Sequence, residues 1–236
     1  VPAGQRIYAI GDIHGRSDLL DLLMRRISAD ARTAARGLQH TLVFLGDYVD
    51  RGQDSAGVLE RLSAGPPPGF GMVCLRGNHE AVMQRFLTDH SVGPAWLSFG
   101  GVETLASYGI RPRPDLDQER WLPIARSELA RTLPQPHHAF LQGLRLHLRV
   151  GGYLFVHAGI RPGVKLERQK PEDLLWIRDA FLDSTARHGM TVVHGHTVVR
   201  EPEVRPNRIG IDTGAYASGR LTCLVLEGTE RRFLTT

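Results

Sequence analysis

Apolar residues come in short runs along this chain, and most of the runs end in glycine followed by acidic, amide or imidazole side chains. Gln5 to Ile10 ends at Gly11-Asp12-Ile13-His14-Gly15, Thr41 to Leu45 ends at Gly46-Asp47, and Met72 to Leu75 ends at Arg76-Gly77-Asn78-His79-Glu80. Runs this short, bounded by turn residues, predict buried strands. Between them the apolar spacing becomes helical. Leu19, Leu20, Leu22, Leu23 and Ile27 predict a helix of about three turns, capped by Ser17 or Asp18. A polar connector, Arg32 to Gln39, follows it, and Val58 to Leu62 lies on a second helix that stops at Gly65-Pro66-Pro67-Pro68-Gly69. Strand, helix, strand, helix, strand predicts right-handed crossovers and a largely parallel sheet at the start of the chain.

From Ala81 the pattern is helical: Ala81 to Thr88, short pieces around Trp96 and Thr104, Trp121 to Leu133, and Ala139 to Leu144, with Pro112 and Pro114 as interruptions. No strand-ending turn occurs there. Residues 85–146 are therefore expected to form a mostly helical insertion over one rim of the sheet, within a single domain of residues 1–236. Strands resume at Leu146 to Val150, Tyr153 to Val156, Thr191 to Val193, Ile209 to Ile211 and Leu221 to Leu226. Gly151-Gly152 predicts a hairpin, and Leu174 to Phe181 a helix. Short links make this half mixed or antiparallel. The expected architecture is α/β, with two packed sheets flanked by helices.

Composition changes this picture little. A hydrophobic fraction of 42% and a charged fraction of 23% suit a soluble globular protein. No apolar run approaches the ~20 residues that cross a bilayer. The start of the chain has no signal-peptide pattern, and Val1 suggests a trimmed start or a missing initiator. Cys74 and Cys223 lie far apart inside apolar runs, as buried core residues of a cytoplasmic protein would. The net charge of +4 comes mostly from scattered arginines, Arg36 among them, without a dense basic block or interleaved aromatics. That argues against nucleic acid as a partner and for anionic, phosphorylated substrates.

The chemistry lies in the turns. Phe155-Val156-His157-Ala158-Gly159 and Val193-His194-Gly195-His196-Thr197 repeat the form of the first three, so five strand ends carry candidate ligands. Any one of them reads equally well as an ordinary turn. Five together, at the ends where α/β sheets place ligands, point to a common site. Taking their ligand types gives Asp12, His14, Asp47, Asn78, His157 and His196. That set is too large for one open zinc site. It suits two ions about 3.5–4 Å apart that share a bridging carboxylate. Carboxylate and imidazole without thiolate favour Mn, Fe or Zn. His194 is expected to support the site or to be structural rather than to ligate.

The runs Gly11-Asp12-Ile13-His14-Gly15, Gly46-Asp47-Tyr48-Val49-Asp50-Arg51-Gly52 and Leu75-Arg76-Gly77-Asn78-His79-Glu80, followed by His157 and Gly195-His196, resemble the phosphoprotein phosphatase family of calcineurin-like metallophosphoesterases, bacterial and phage branch. Order and spacing agree over roughly the whole chain. The resemblance implies a four-layer fold, a β-sandwich of mixed sheets flanked by helices. It also implies two divalent ions, Mn2+ foremost, with Fe, Zn or Ni as the others. Asp12 and His14 would hold the first ion, Asp47 would bridge, and Asn78, His157 and His196 would hold the second. His79 would be the general acid, oriented by Asp50. Arg51 would bind phosphate, as would Arg178 in Trp176-Ile177-Arg178-Asp179. Val198 replaces a second histidine found in many metallophosphoesterases, and Phe99 stands where asparagine is more usual. The implied activity is hydrolysis of phosphoserine or phosphothreonine, with phosphotyrosine included, by in-line attack of a hydroxide that the two ions activate. Its substrates would be phosphorylated proteins or small phosphoesters. Symmetrical dinucleoside polyphosphate hydrolases are relatives that typically lack Asp50 and carry Asp in place of Glu80. Such a hydrolase, of the diadenosine tetraphosphate type, and a non-catalytic binding protein are the alternatives.

Overall fold

The structure, a computed structural model, describes residues 1–236 apart from Arg36, so the expected connector is described only on either side of that position. β1 (Gln5–Ile10), β2 (Gln39–Phe44) and β3 (Phe70–Cys74) are parallel neighbours, linked by α1 (Ser17–Arg32) and α2 (Ser55–Ser63). From the end of the chain, β9 (Thr222–Glu227) and β10 (Glu230–Thr235) join antiparallel, giving the order β10-β9-β1-β2-β3. The second sheet takes β4 (His147–Val150), β5 (Tyr153–Val156), β6 (Thr191–His194), β7 (Glu203–Val204) and β8 (Arg208–Gly210) in the order β4-β5-β6-β8-β7. Its three central strands are parallel and its two edges antiparallel, so both sheets are mixed.

Alternation along the strands builds the layers, because successive side chains leave a strand on opposite faces. Ile7, Ala9, Val43, Leu224 and Leu226 of the first sheet meet Phe155, Val193 and Ile209 of the second, forming the centre of the sandwich. The other face of the first sheet, with Tyr8, Ile10, Leu42 and Phe44, packs under the helices. The other face of the second sheet, with Leu154, Val156 and Val192, packs under α8 (Pro171–Trp176) and α9 (Asp179–Leu182) through Leu174 and Phe181. Helices, sheet, sheet and helices are the four expected layers.

Between β3 and β4 the chain is helical: α3 (Asn78–Phe86), α4 (Gly93–Trp96), a π-turn at Leu97–Gly101, α5 (Val102–Ser107), α6 (Gln118–Thr132) and α7 (Gln135–Gln142). α3 begins three residues before the expected Ala81, so Asn78, His79 and Glu80 form its first turn. Neither Ser17 nor Asp18 caps α1, whose N-cap is Arg16 without a side-chain bond. Ser17 instead hydrogen-bonds Asp54, the cap of α2, and Asp18 pairs with Arg16. The expected helix from Leu174 to Phe181 is broken at Ile177-Arg178, because Ile177 turns extended to bury itself against the second sheet. β7 and β10 escaped the sequence pattern. One has two residues, and the other exposes Glu230, Arg231 and Arg232, so strand pairing rather than alternation defines them.

Phe155 is fully buried at the centre of the sandwich. Phe155→Ala is expected to lower stability by about 3–5 kcal/mol in urea unfolding, since the cavity adds to the lost transfer energy.

Candidate active site

The predicted ligands follow the carboxyl ends of β1, β2, β5 and β6 or open α3, and backbone bonds draw these segments together. Ile13 and His14 donate their N–H groups to the Asp47 carbonyl at 3.0 and 2.9 Å, and Gly195 donates to the His157 carbonyl at 2.8 Å. The tightest clasp is Glu80. Its buried carboxylate accepts four backbone N–H groups, from Asp47 (2.9 Å), Tyr48 (2.7 Å), Val49 (3.2 Å) and Gly77 (2.9 Å). Burial and the Asp47 carboxylate push the Glu80 carboxyl up to about 7, while its four donors favour the charged form. The loop after β2 is thereby fastened to the amino end of α3. Gly46 is obligatory in this clasp: its φ is 105°, and a Cβ there would come within 2.5 Å of the Gly77 nitrogen.

Among the described residues, five without glycine's freedom have positive φ: His14, Asp47, Asp50, Arg51 and His196. All five are sequence-predicted site residues. Each such conformation costs roughly 1–3 kcal/mol and persists only where the surroundings impose it. Here the strain aims side chains that relaxed strand ends would point elsewhere.

Asp47 stands between two groups of donor atoms. Its Oδ2 faces His14 Nε2 at 3.5 Å and His79 Nε2 at 3.8 Å, and its Oδ1 faces His157 Nε2 at 3.4 Å. His14, Asp47 and His79 form one cluster of candidate ligands; Asp47, His157 and His196 form the other. His14 Nδ1 donates to the Val49 carbonyl at 2.8 Å, and His157 Nδ1 donates to the Leu45 carbonyl at 2.9 Å. Each Nε2 is then a lone pair turned inward. Burial lowers all three imidazoles and keeps them neutral, His14 to about 3 and His196 to about 2. His157 Nε2 and His196 Nδ1 both approach Asn78 Oδ1, at 2.8 and 2.9 Å. A lone pair of His157 packed against an amide oxygen, beside carboxylates, is an arrangement that a cation between them would relieve. Asp12 lies outside both clusters, buried behind His196, whose N–H it accepts at Oδ2 (2.9 Å). Its Oδ1 has no partner, and burial together with Asp212 and Asp47 pushes its carboxyl well up. The donor set therefore fits a pair of divalent ions. His194 is turned away and packs edge-on against Phe181 at 5.2 Å.

The neighbours of Asp47 on the same loop do other work. Asp50 is fully buried, and its Oδ2 accepts from His79 Nδ1 at 2.7 Å and from Trp96 Nε1 at 2.9 Å. Its Oδ1 accepts from the Thr104 hydroxyl at 2.6 Å. Burial pulls the His79 imidazole down, but the carboxylates of Asp47 and Asp50 outweigh it and the net shift is upward. Arg51 donates to His14 Nε2 at 3.1 Å, its other terminal nitrogen lies 3.2 Å from His79 Nε2, and its guanidinium lies 4.8 Å from the Tyr216 ring centre. Arg51, Asn78, His79, His196 and Arg178 line one cavity of about 70 Å³, rimmed by the exposed rings of Phe99 and Trp176. Arg178 reaches it from the break between α8 and α9.

The profile described as Calcineurin-like phosphoesterase matches residues 5–221. The chain belongs to the calcineurin-like phosphoesterase family. This phosphoesterase is 35% identical over 230 residues to serine/threonine-protein phosphatase 2 of Escherichia coli K12, covering 92% of the chain and 91% of the relative. It is 28% identical over 236 residues to an asymmetrical bis(5'-nucleosyl)-tetraphosphatase, PrpE, of Oceanobacillus iheyensis, covering 92% and 87%. The crystal structure of a cold-active protein-tyrosine phosphatase of a psychrophilic Shewanella superposes with a TM-score of 0.60 at 17% identity, over 99% of this chain and 83% of that one, and shares the fold.

Sequence reasoning missed Trp96, Thr104 and Asp212. Trp96 and Thr104 lie in the helical segment expected only to shape a rim, and they enter the site because Asp50 needs buried donors. The signal for Asp212 was present: Ile209-Gly210-Ile211-Asp212-Thr213-Gly214 is a sixth apolar run ending in acid and glycine. Thr104→Val keeps the shape but strips one donor from a buried carboxylate. It is expected to lower kcat about 10-fold while leaving the metal content, read by elemental analysis, unchanged.

Proposed function

We propose that this phosphoesterase is a protein phosphatase acting on phosphoserine and phosphothreonine, with phosphotyrosine also accepted, and that Mn2+ is its preferred metal. The observation that carries this reading is the Asp50–His79 pair, braced by Trp96 and Thr104 beside Arg51. A serine or threonine alkoxide is a poor leaving group, so its departure benefits from a positioned acid. The relatives named serine/threonine-protein phosphatase support the same reading.

The residues divide the work. An ion pair held by Asp12, His14, Asp47, Asn78, His157 and His196 would supply a nucleophilic water at neutral pH and offset charge on the phosphoryl group. Arg51 and Arg178, on the cavity wall, take the nonbridging oxygens with planar forked donors. Their charge stabilises the phosphoryl group as it transfers. The bond from phosphorus to the side-chain oxygen breaks, and His79 Nε2 gives its proton to that oxygen. Asp50 holds Nδ1, which keeps Nε2 turned to the cavity and raises the pKa that keeps it protonated. Free Cys74 and Cys223, the latter buried, suit a cytoplasmic location for this function.

The tetraphosphatase relatives favour a second reading, hydrolysis of dinucleoside polyphosphates. A phosphate leaving group depends far less on His79. Parallel assays with a phosphoserine peptide and diadenosine tetraphosphate separate the two, and the dinucleotide as the faster substrate would overturn the phosphatase reading. His79→Asn is expected to cut turnover of the phosphoserine peptide about 10²–10⁴-fold while sparing p-nitrophenyl phosphate much more. Unchanged peptide turnover would remove His79 as the acid. As pH rises through the raised pKa of His79, the acid proton is lost and kcat falls. Asp50→Asn, which takes away one of the groups raising that pKa, should therefore move the alkaline limb of the kcat profile to lower pH.

A further inference from the structure

Asp212 leaves the end of β8 as Asp12 leaves the end of β1, and the two sheets bring these ends into contact. A Cβ on Gly11 would come within 2.5 Å of the Ile211 carbonyl oxygen, so the two backbones touch just before the acids. Asp212 is 1% exposed and pinned from two sides: its Oδ1 accepts from the Gly214 N–H at 2.9 Å, and its carbonyl accepts from the Val199 N–H at 2.9 Å. Its carboxyl lies against that of Asp12. Asp212 Oδ2 and Asp12 Oδ1 are both buried without a hydrogen-bond partner. Arg51, the cation that acts on both, points its guanidinium at His14 and His79. Two adjacent buried carboxylates, each with a bare oxygen, are unfavourable unless a cation or a shared proton neutralises them. Nothing in the five ligand-bearing turns accounts for the second acid.

We propose that Asp212 is a further metal-holding residue, whose free Oδ2 joins Asp12 in holding the ion on the His14 side. The inference rests on the two-ion reading of the site. It makes the two halves chemically unequal. Asp12, Asp47, Asp212 and His14 give one ion three carboxylates and one imidazole. Asp47, Asn78, His157 and His196 give the other one carboxylate, one amide oxygen and two imidazoles. Oxygen-rich donor sets favour Mn2+ or Mg2+, and imidazole-rich sets admit Zn2+. The Asp212 half is thus the one that discriminates against zinc.

The test uses metal-free full-length protein titrated with MnCl2 by calorimetry, with Mn2+ electron paramagnetic resonance to distinguish a coupled pair from a single ion. Wild type is expected to bind two Mn2+. Asp212→Asn keeps the shape and can keep the Gly214 bond; it should weaken one of the two steps about 10–100-fold, leave the other unchanged, and lose the coupled-pair signal at low Mn2+. Zn2+ should then displace Mn2+ from the weakened half more readily. The rise in Tm on adding Mn2+ should shrink, whereas a purely structural Asp212 would lower the metal-free Tm and leave both steps intact. Asp212→Ser, smaller and free of clashes, should behave alike and covers the case in which the asparagine variant folds poorly. Two wild-type Mn2+ steps in both variants would overturn the Asp212 assignment alone. Wild-type protein that binds fewer than two Mn2+ would overturn the two-ion reading beneath it.

Discussion

The carboxylate of Glu80 gathers four backbone N–H groups in a buried place, and the geometry around Asp47, on which the two candidate ion sites meet, depends on that interaction. It fastens the loop after β2 to the first turn of α3. Asp47 is thereby held with its two oxygens facing opposite groups of imidazoles. Without such a clasp, the positive φ at Asp47, Asp50 and Arg51 would relax and three differently employed side chains would lose their directions. An ordinary type of buried group, an acid satisfied by amides, thus sustains several unfavourable local conformations.

The fold supplies the stiffness this needs. The carboxyl ends of β1, β2, β5, β6 and β8 bear the acids and imidazoles, and the sandwich core behind them is continuous from Ile7 to Leu226. Carbonyls at Leu45 and Val49 fix the protonated nitrogen of His157 and His14, which turns the other nitrogen inward as a lone pair. The same loop that carries Asp47 sends Asp50 the opposite way, under α4 and α5, where Trp96 and Thr104 complete its hydrogen bonds. The helical segment between β3 and β4 therefore braces Asp50 as well as shaping the mouth of the cavity through Phe99.

The proposed phosphatase reading places the substrate in the cavity beside His79. Its floor is cationic and polar and its mouth aromatic. In that reading the buried Asp50–His79 pair favours a substrate whose leaving oxygen needs a proton. This ties the proposed phosphatase activity to Asp50 rather than to the candidate metal ligands, whose donor set would serve any phosphoester.

The sequence by itself determined the strands other than β7 and β10, the alternation that makes two faces on them, and the strand-end segments that carry Asp12, His14, Asp47, Asn78, His157 and His196. Those features are local: a run of apolar residues, a glycine, and a polar group at fixed spacing are visible without neighbours. Tertiary structure decided what depends on distant partners. It broke the helix at Arg178 so that Ile177 could be buried, and it drew β10 into the first sheet despite its charged, exposed face. Trp96 and Thr104 were brought beneath Asp50 across 46 and 54 residues of chain. Asp212 was set against Asp12 from the other sheet, about two hundred residues away in sequence. A buried charge is settled by whichever group the fold delivers to it, and spacing along the chain carries no record of that delivery.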